Sequence, residues 1–99
     1  MTAVKTILLI EDDRDLNTGL TYDLEMEQYR VFSAFTLAEG QRILDCETPD
    51  LILLDGSLPD GDGFHFCRKV KSIYDISVIF LTAREFFQPE KRIFMCESE

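Results

Sequence analysis

At 99 residues, with 45% hydrophobic and 29% charged side chains, the chain has room for one domain around one core and none for a second folded module. Its formal net charge of −9 sets it against nucleic acid phosphates, so direct nucleic acid binding is not expected of it. No apolar run approaches the roughly 20 residues of a membrane helix, and the N-terminus MTAVKTILLIEDD meets acids where a secretory signal would carry a small-residue cleavage site; the expectation is a cytoplasmic protein without membrane contact. Cys46, Cys67 and Cys96 contain no CxxC pair and are odd in number, which argues against a zinc site and a closed disulfide set. Three reduced thiols are expected, with Cys67 in the core.

In chain order, the run from Lys5 to Ile10 has strand length and stops at three consecutive acids, Glu11, Asp12 and Asp13. Without polar alternation it reads as a strand covered on both faces, as in a parallel sheet. Asp13 is a good N-cap, and Leu16, Leu20 and Leu24 repeat at helical spacing to about Gln28. Tyr29 to Ala34, rich in aromatic and β-branched residues, reads as a second strand. Thr36 with Glu39 three residues on is a capping box opening a short helix before Pro49. Leu51 to Asp55 is again wholly apolar until its final acid. After a glycine-rich loop, Gly56 to Gly63, one face of a third helix is marked by Phe64, Cys67, Val70 and Tyr74. Ser77 to Thr82 is the fourth strand. Beyond Ala83 the pattern loses its period, and a short helix from about Pro89 or irregular structure is expected.

Strands alternating with helices predict an α/β fold with a parallel sheet and right-handed crossovers. In such sheets ligands gather at the carboxyl ends of strands, where Asp12, Asp13, Asp55 and Thr82 all fall. Converging carboxylates resist full ionisation unless a cation joins them, and a hard ion such as Mg²⁺ suits a small oxygen site that also takes phosphate oxygens. Beside such an ion a carboxylate can act as a nucleophile toward phosphorus. Asp55 is the candidate, because its apolar strand holds the backbone rigidly and Gly56 leaves room for approach. Thr82 is placed to donate a hydroxyl hydrogen bond to a phosphoryl oxygen. Each residue also has a plainer reading: Asp12 and Asp13 as a solvated cap, Asp55 as a turn residue before glycine, Thr82 as an ordinary strand residue.

The loop DGSLPDGDGF does not fit a calcium loop, since Pro59, Asp60 and Phe66 fall where a ligand, a glycine and a bidentate glutamate belong. His65 has no second His or Cys at ligand spacing and is read as a surface residue.

The acids after the first strand, Asp55 ending the third, Pro59, Gly63 and the pair Thr82–Ala83 together resemble the receiver domains of two-component response regulators, in register over residues 4–84. LPDGDGF and FLTAR are most similar to receivers that precede winged-helix DNA-binding domains. The resemblance implies a flavodoxin-like fold, Asp55 as phosphoacceptor and metal ligand, Asp12 and Asp13 as metal-site acids, the backbone carbonyl of Ser57 as a further ligand, and Thr82 as the switch hydroxyl. It also implies Mg²⁺, phosphotransfer from a sensor histidine kinase, and side chains at Ser57 and Arg84 that tune dephosphorylation.

The chain departs from the family after Ala83. The stretch that follows is too short for a helix, a fifth parallel strand and a further helix, since one parallel crossover takes a dozen or more residues. No residue is assigned the family's phosphate-pairing lysine; Lys91 and Arg92 come too early. An incomplete receiver over 1–84 with an atypical tail over 85–99 is therefore expected, the sheet shortened after its fourth strand. That would leave Ser77 to Thr82 as a bare edge and uncover Val78 and Phe80, which predicts a homodimer through the edge or the tail; the alternative is a monomer whose tail doubles back over the edge. Two other functions compete with a phosphorylated signalling switch that is not a turnover enzyme. One is an interaction module that docks a kinase or another receiver without switching. The other is a Mg²⁺-dependent aspartyl-phosphate phosphohydrolase, disfavoured because Ser57 stands where those enzymes carry their second Asp.

Overall fold

A computed structural model describes residues 4–82 and 92–96; the side chains of Ser57, Thr82 and 92–96 lie outside the description. The elements are β1 (Thr6–Ile10), α1 (Arg14–Met26), β2 (Arg30–Ala34), α2 (Leu37–Cys46), β3 (Leu51–Asp55), β4 (Ser57–Leu58), β5 (Gly61–Asp62), α3 (Gly63–Ile73), β6 (Ser77–Thr82) and β7 (Arg92–Cys96). The main sheet has the order β2-β1-β3-β6-β7. Its first four strands run parallel and β7 runs antiparallel to β6.

The unbroken apolar runs are explained by burial on two sides. Leu8, Ile10, Ile52, Leu54, Val78 and Phe80 pack under α2 and α3 with Leu44, Phe66, Cys67 and Val70. Ile7, Leu9, Leu53 and Leu81 face the other way, against Leu20 and Leu24 of α1. Complete burial of a leucine such as Leu8, Leu9 or Leu54 contributes about 1.5–3 kcal/mol relative to exposure. Strand alternation thus divides one apolar run between two cores.

Helix ends follow from their caps. The Asp13 carboxylate accepts the Leu16 N–H at 3.1 Å and opens α1. Beyond the end of α1, Gln28 takes a left-handed φ of 75°; its N–H reaches the Glu25 carbonyl at 2.9 Å, and the Tyr29 N–H reaches Leu24 at 3.1 Å. That is the Schellman pattern, usually built on glycine. The Thr36 hydroxyl oxygen accepts the Glu39 N–H at 3.1 Å, while the Glu39 carboxylate accepts the Phe35 N–H at 2.7 Å. The expected capping box forms, its return bond shifted one residue upstream.

Four expectations are corrected. The buried face of α3 is Phe66, Cys67 and Val70, whereas Phe64 is half exposed and stacks on Phe80 with ring centroids 4.3 Å apart. Cys67 is in the core as expected but is disulfide-bonded, and Cys46 is free and exposed; an odd cysteine count excludes a closed set but not a single bond. Residues 92–96 are neither helical nor irregular: the chain supplies its own fifth strand by returning antiparallel, which needs no crossover helix. With β7 paired along Val78 to Thr82, and Val78 and Phe80 buried, neither ground for expecting a dimer remains. Pro89 and the expected boundary at 84/85 lie outside the described residues. Among the described residues no helix is long and apolar enough to cross a membrane.

Candidate functional site

Parallel pairing sets the ends of β1, β3 and β6 side by side. Ile10 pairs with Leu54 and Asp55 with Leu81, so Glu11 continues β1 alongside Asp55, and Thr82 is the next residue along β6. The Glu11 N–H extends the ladder by one rung, donating to the Ala34 carbonyl at 3.0 Å. Glu11, Asp12 and Asp55 each offer a carboxylate oxygen, and the three lie within 4.8 Å of one another. Glu11 and Asp55 are 4% and 8% exposed, and Asp12 is exposed.

This trio differs by one residue from the expected one. Asp12 and Asp55 meet as anticipated, but the third acid is Glu11. Asp13 is engaged as the N-cap of α1, and its own N–H donates to Glu11 Oε2 at 3.0 Å. A carboxylate that caps a helix is held by backbone donors of that helix, which leaves the two residues between strand and cap to face the strand ends. That spacing was the available signal.

The electrostatics suit a cation. Burial, opposed by the hydrogen bond from the Asp13 N–H and reinforced by the negative charges of Asp55, Asp12 and Asp13, pushes the Glu11 carboxyl up to about 7. Clustered carboxylates that hold a proton so firmly are relieved by a divalent ion, and an all-oxygen donor set fits a hard one such as Mg²⁺.

The loop after Asp55 is a small ribbon rather than open loop. β4 and β5 pair antiparallel, Ser57 with Asp62 and Leu58 with Gly61. From its turn Asp60 reaches across to α2, accepting the N–H groups of Leu37 at 2.9 Å and Ala38 at 3.0 Å. Those donors hold its carboxyl below the usual range. Gly63 opens α3 directly under Asp55: a Cβ there would lie 2.5 Å from the Asp55 carbonyl oxygen and 3.0 Å from the Gly56 Cα. A Cβ on Gly56 would sit 3.1 Å from the Phe64 ring, so the ring closes over the glycine that follows Asp55. His65 is exposed. Arg84 and the Thr82 side chain lie outside the described residues.

Sequence reasoning also passed over Asn17. It is 1% exposed, on the α1 face that meets the acidic loop. An asparagine among leucines at helical spacing was its only trace in the sequence.

The family model for the response regulator receiver domain matches residues 7–95. The chain is 40% identical over 79 residues to the transcriptional regulatory protein AfsQ1 of Streptomyces coelicolor, covering 80% of this chain and 35% of that protein. It is 41% identical over 78 residues to the KDP operon transcriptional regulatory protein KdpE of Escherichia coli, covering 79% and 35%. The chain thus spans about a third of the length of these curated relatives. Among solved structures it resembles the non-phosphorylated HemR receiver domain of Leptospira biflexa, at TM-score 0.73 and 41% identity over 81% of this chain and 65% of that one. A CheY-like receiver domain protein of Methanospirillum hungatei gives TM-score 0.78 at 30% identity, covering 86% and 69%. With its strand order, its acids at the strand ends and a family match over residues 7–95, this chain belongs to the response regulator receiver domains.

Proposed function

We propose that the chain is a phosphoryl-accepting signalling switch, with Asp55 as the acceptor and a sensor histidine kinase as its partner. One observation carries the reading: Asp55 ends a buried strand with the carboxylates of Glu11 and Asp12 gathered within 4.8 Å. An Asp55 carboxylate oxygen attacks the phosphorus of a phosphohistidine. The new O–P bond forms as the N–P bond breaks, and the imidazole nitrogen keeps the electron pair and takes a proton from water.

Glu11, Asp12 and Asp55, with the backbone carbonyl of Ser57, would hold Mg²⁺, which when bound sets positive charge against the phosphoryl oxygens. β3 fixes the direction of attack. The Thr82 hydroxyl donates to a phosphoryl oxygen and turns phosphorylation into a changed protein interface. Ser57 and Arg84 tune loss of the phosphoryl group. The phosphoryl group stays on the chain, so this is a self-catalysed acceptor rather than a turnover enzyme. That the curated relatives are transcriptional regulators supports an output in transcription control; on this reading the chain acts in the cytoplasm and these residues make no nucleic acid contact.

Incubation with Mg²⁺ and acetyl phosphate, read by intact mass, tests the proposal. The chain is expected to gain one phosphoryl group and Asp55→Asn none. Equal gain in the variant removes Asp55 from the role. An unmodified wild type replaces the switch with the docking module.

A further inference from the structure

We infer that Asn17 is the positioning residue of the acidic site, its side-chain amide setting where Glu11, and through it Asp12, presents a carboxylate. The inference rests on the reading of the trio given above. Asn17 is 1% exposed, a costly place for an amide unless each polar atom is met. Here each is. Nδ2 donates to the carbonyl oxygens of Glu11 at 2.9 Å and Ala34 at 3.1 Å. Oδ1 accepts from the hydroxyls of Ser33 at 2.6 Å and Thr21 at 3.3 Å. Carbonyl oxygens can only accept, so the nitrogen must face them and the amide has one usable orientation.

The placement of these bonds gives the amide its role. Glu11 is the first residue beyond β1, where ladder pairing runs out. Its N–H donates to Ala34, and the same Ala34 oxygen accepts from Asn17, so one carbonyl joins the last rung to the helix. The peptide linking Glu11 to Asp12 is held at its oxygen by α1. Packing alone does not ask for this: Leu20 and Leu24 fill the same helix face with hydrocarbon, and exchanging a satisfied buried polar group for an apolar one of similar shape can be nearly neutral in stability. What the amide adds is a fixed backbone at the point from which two of the three carboxylates depart.

The test compares the 99-residue wild type with Asn17→Leu, with Ser33→Ala, and with Val70→Ala as a destabilised control in the opposite core. Ser33 is exposed, so its variant keeps the fold while removing the shortest bond that orients the amide. Two readouts are taken: Mg²⁺ affinity by calorimetry, and cation-free amide exchange at Glu11, Asp12 and Asp13 relative to the amides of β1. The Asp13 amide is informative because it donates to the Glu11 carboxylate. Loss of outer-shell support weakens metal affinity by roughly 10- to 100-fold. Asn17→Leu is expected in that range with exchange selectively faster at residues 11–13, Ser33→Ala shows the same pattern to a smaller degree, and Val70→Ala leaves both unchanged relative to β1. Wild-type affinity and wild-type loop exchange in the first two variants would overturn the inference. If the wild type takes up no Mg²⁺, the cation reading fails on its own and exchange decides alone: selective loosening sustains the positioning role, and uniform exchange rejects it.

Discussion

Asp60 and Leu37 stand 23 residues apart in sequence, yet the carboxylate of the first accepts the backbone N–H of the second at 2.9 Å. The turn that follows the β4 strand therefore caps the neighbouring helix, alongside Thr36. Asp60→Ala should lose about 1 kcal/mol, the usual worth of a cap, seen as a lower urea midpoint. The pH dependence has a definite sign. Because the donors of Leu37 and Ala38 lower the Asp60 pKa, its contribution is present above the unfolded value and disappears as pH falls through the lowered folded value. Wild type and variant should converge in acid; a gap that persists there would show that the carboxylate charge plays no part.

Gly63→Ala tests the contact under Asp55. The added Cβ would meet backbone, the Asp55 carbonyl oxygen at 2.5 Å, and backbone cannot swing aside as a flexible side chain can. A loss of about 1–3 kcal/mol is expected, as for other overpacked sites. Because the strain falls on Asp55 itself, uptake of phosphate from acetyl phosphate should slow further than the change in folded fraction explains. Unchanged kinetics with a lowered melting temperature would separate the glycine from the site.

Glu11 gives the cation-free protein a second pH dependence of opposite sense. Its folded pKa of about 7 stands above the ordinary 4.5, so the folded state holds a proton that the unfolded chain releases. The associated stability is complete below about 4.5 and lost as pH rises through 7. Denaturation in the presence of a chelator should show the fold weakening between pH 5 and 8, and Glu11→Gln should flatten that slope. The same variant should bind Mg²⁺ more weakly. A slope identical in wild type and variant would assign the titration to another group.

At Gln28 two effects oppose each other. A left-handed φ costs a side-chain-bearing residue roughly 1–2 kcal/mol, while glycine gives back about 0.4–1 kcal/mol through the freedom of its unfolded chain. Gln28→Gly should therefore stabilise by about 0.5–1 kcal/mol, visible as a raised melting temperature. No gain would mean that the Gln28 side chain compensates its own strain.

The β6 edge offers a test of association. With β7 paired along it, the intact chain is expected to scatter light as a monomer at high micromolar concentration. A chain ended after Lys91 should associate, since an unpaired edge is a template for a second chain. Equal masses for the two would relocate the source of any association.

The parts legible in the sequence were those in which local pattern and final environment agree. β1, β3 and β6 are continuous apolar runs because two cores enclose them, and Asp13 and Thr36 announce helix starts because caps are local. The trio was misplaced by one residue because its membership depends on a competition: α1 takes Asp13, and the strand ends keep Glu11. The α3 face was misjudged at Phe64, which looks like core by hydrophobicity but finds its partner in one ring, Phe80, while the rest of it meets solvent. β7 was missed because a parallel family pattern was imposed on a segment too short for crossovers, and RIFMC is strand-like once an antiparallel return is allowed. The role of Asn17 was not legible, since three of its four partners lie outside its own helix, on β2 and in the loop after β1.

Reversing the last strand also exchanges its two ends. In a sheet whose strands all run one way, the residue that follows the final strand arrives at the same rim as Asp55. Here Arg92 pairs with Thr82 and Cys96 with Val78, so the strand begins at the acidic rim and departs from it. A strand continued past Cys96 runs away from Asp55, so a cation that balances a phosphoryl group there is to be sought at the start of β7 or earlier in the sequence.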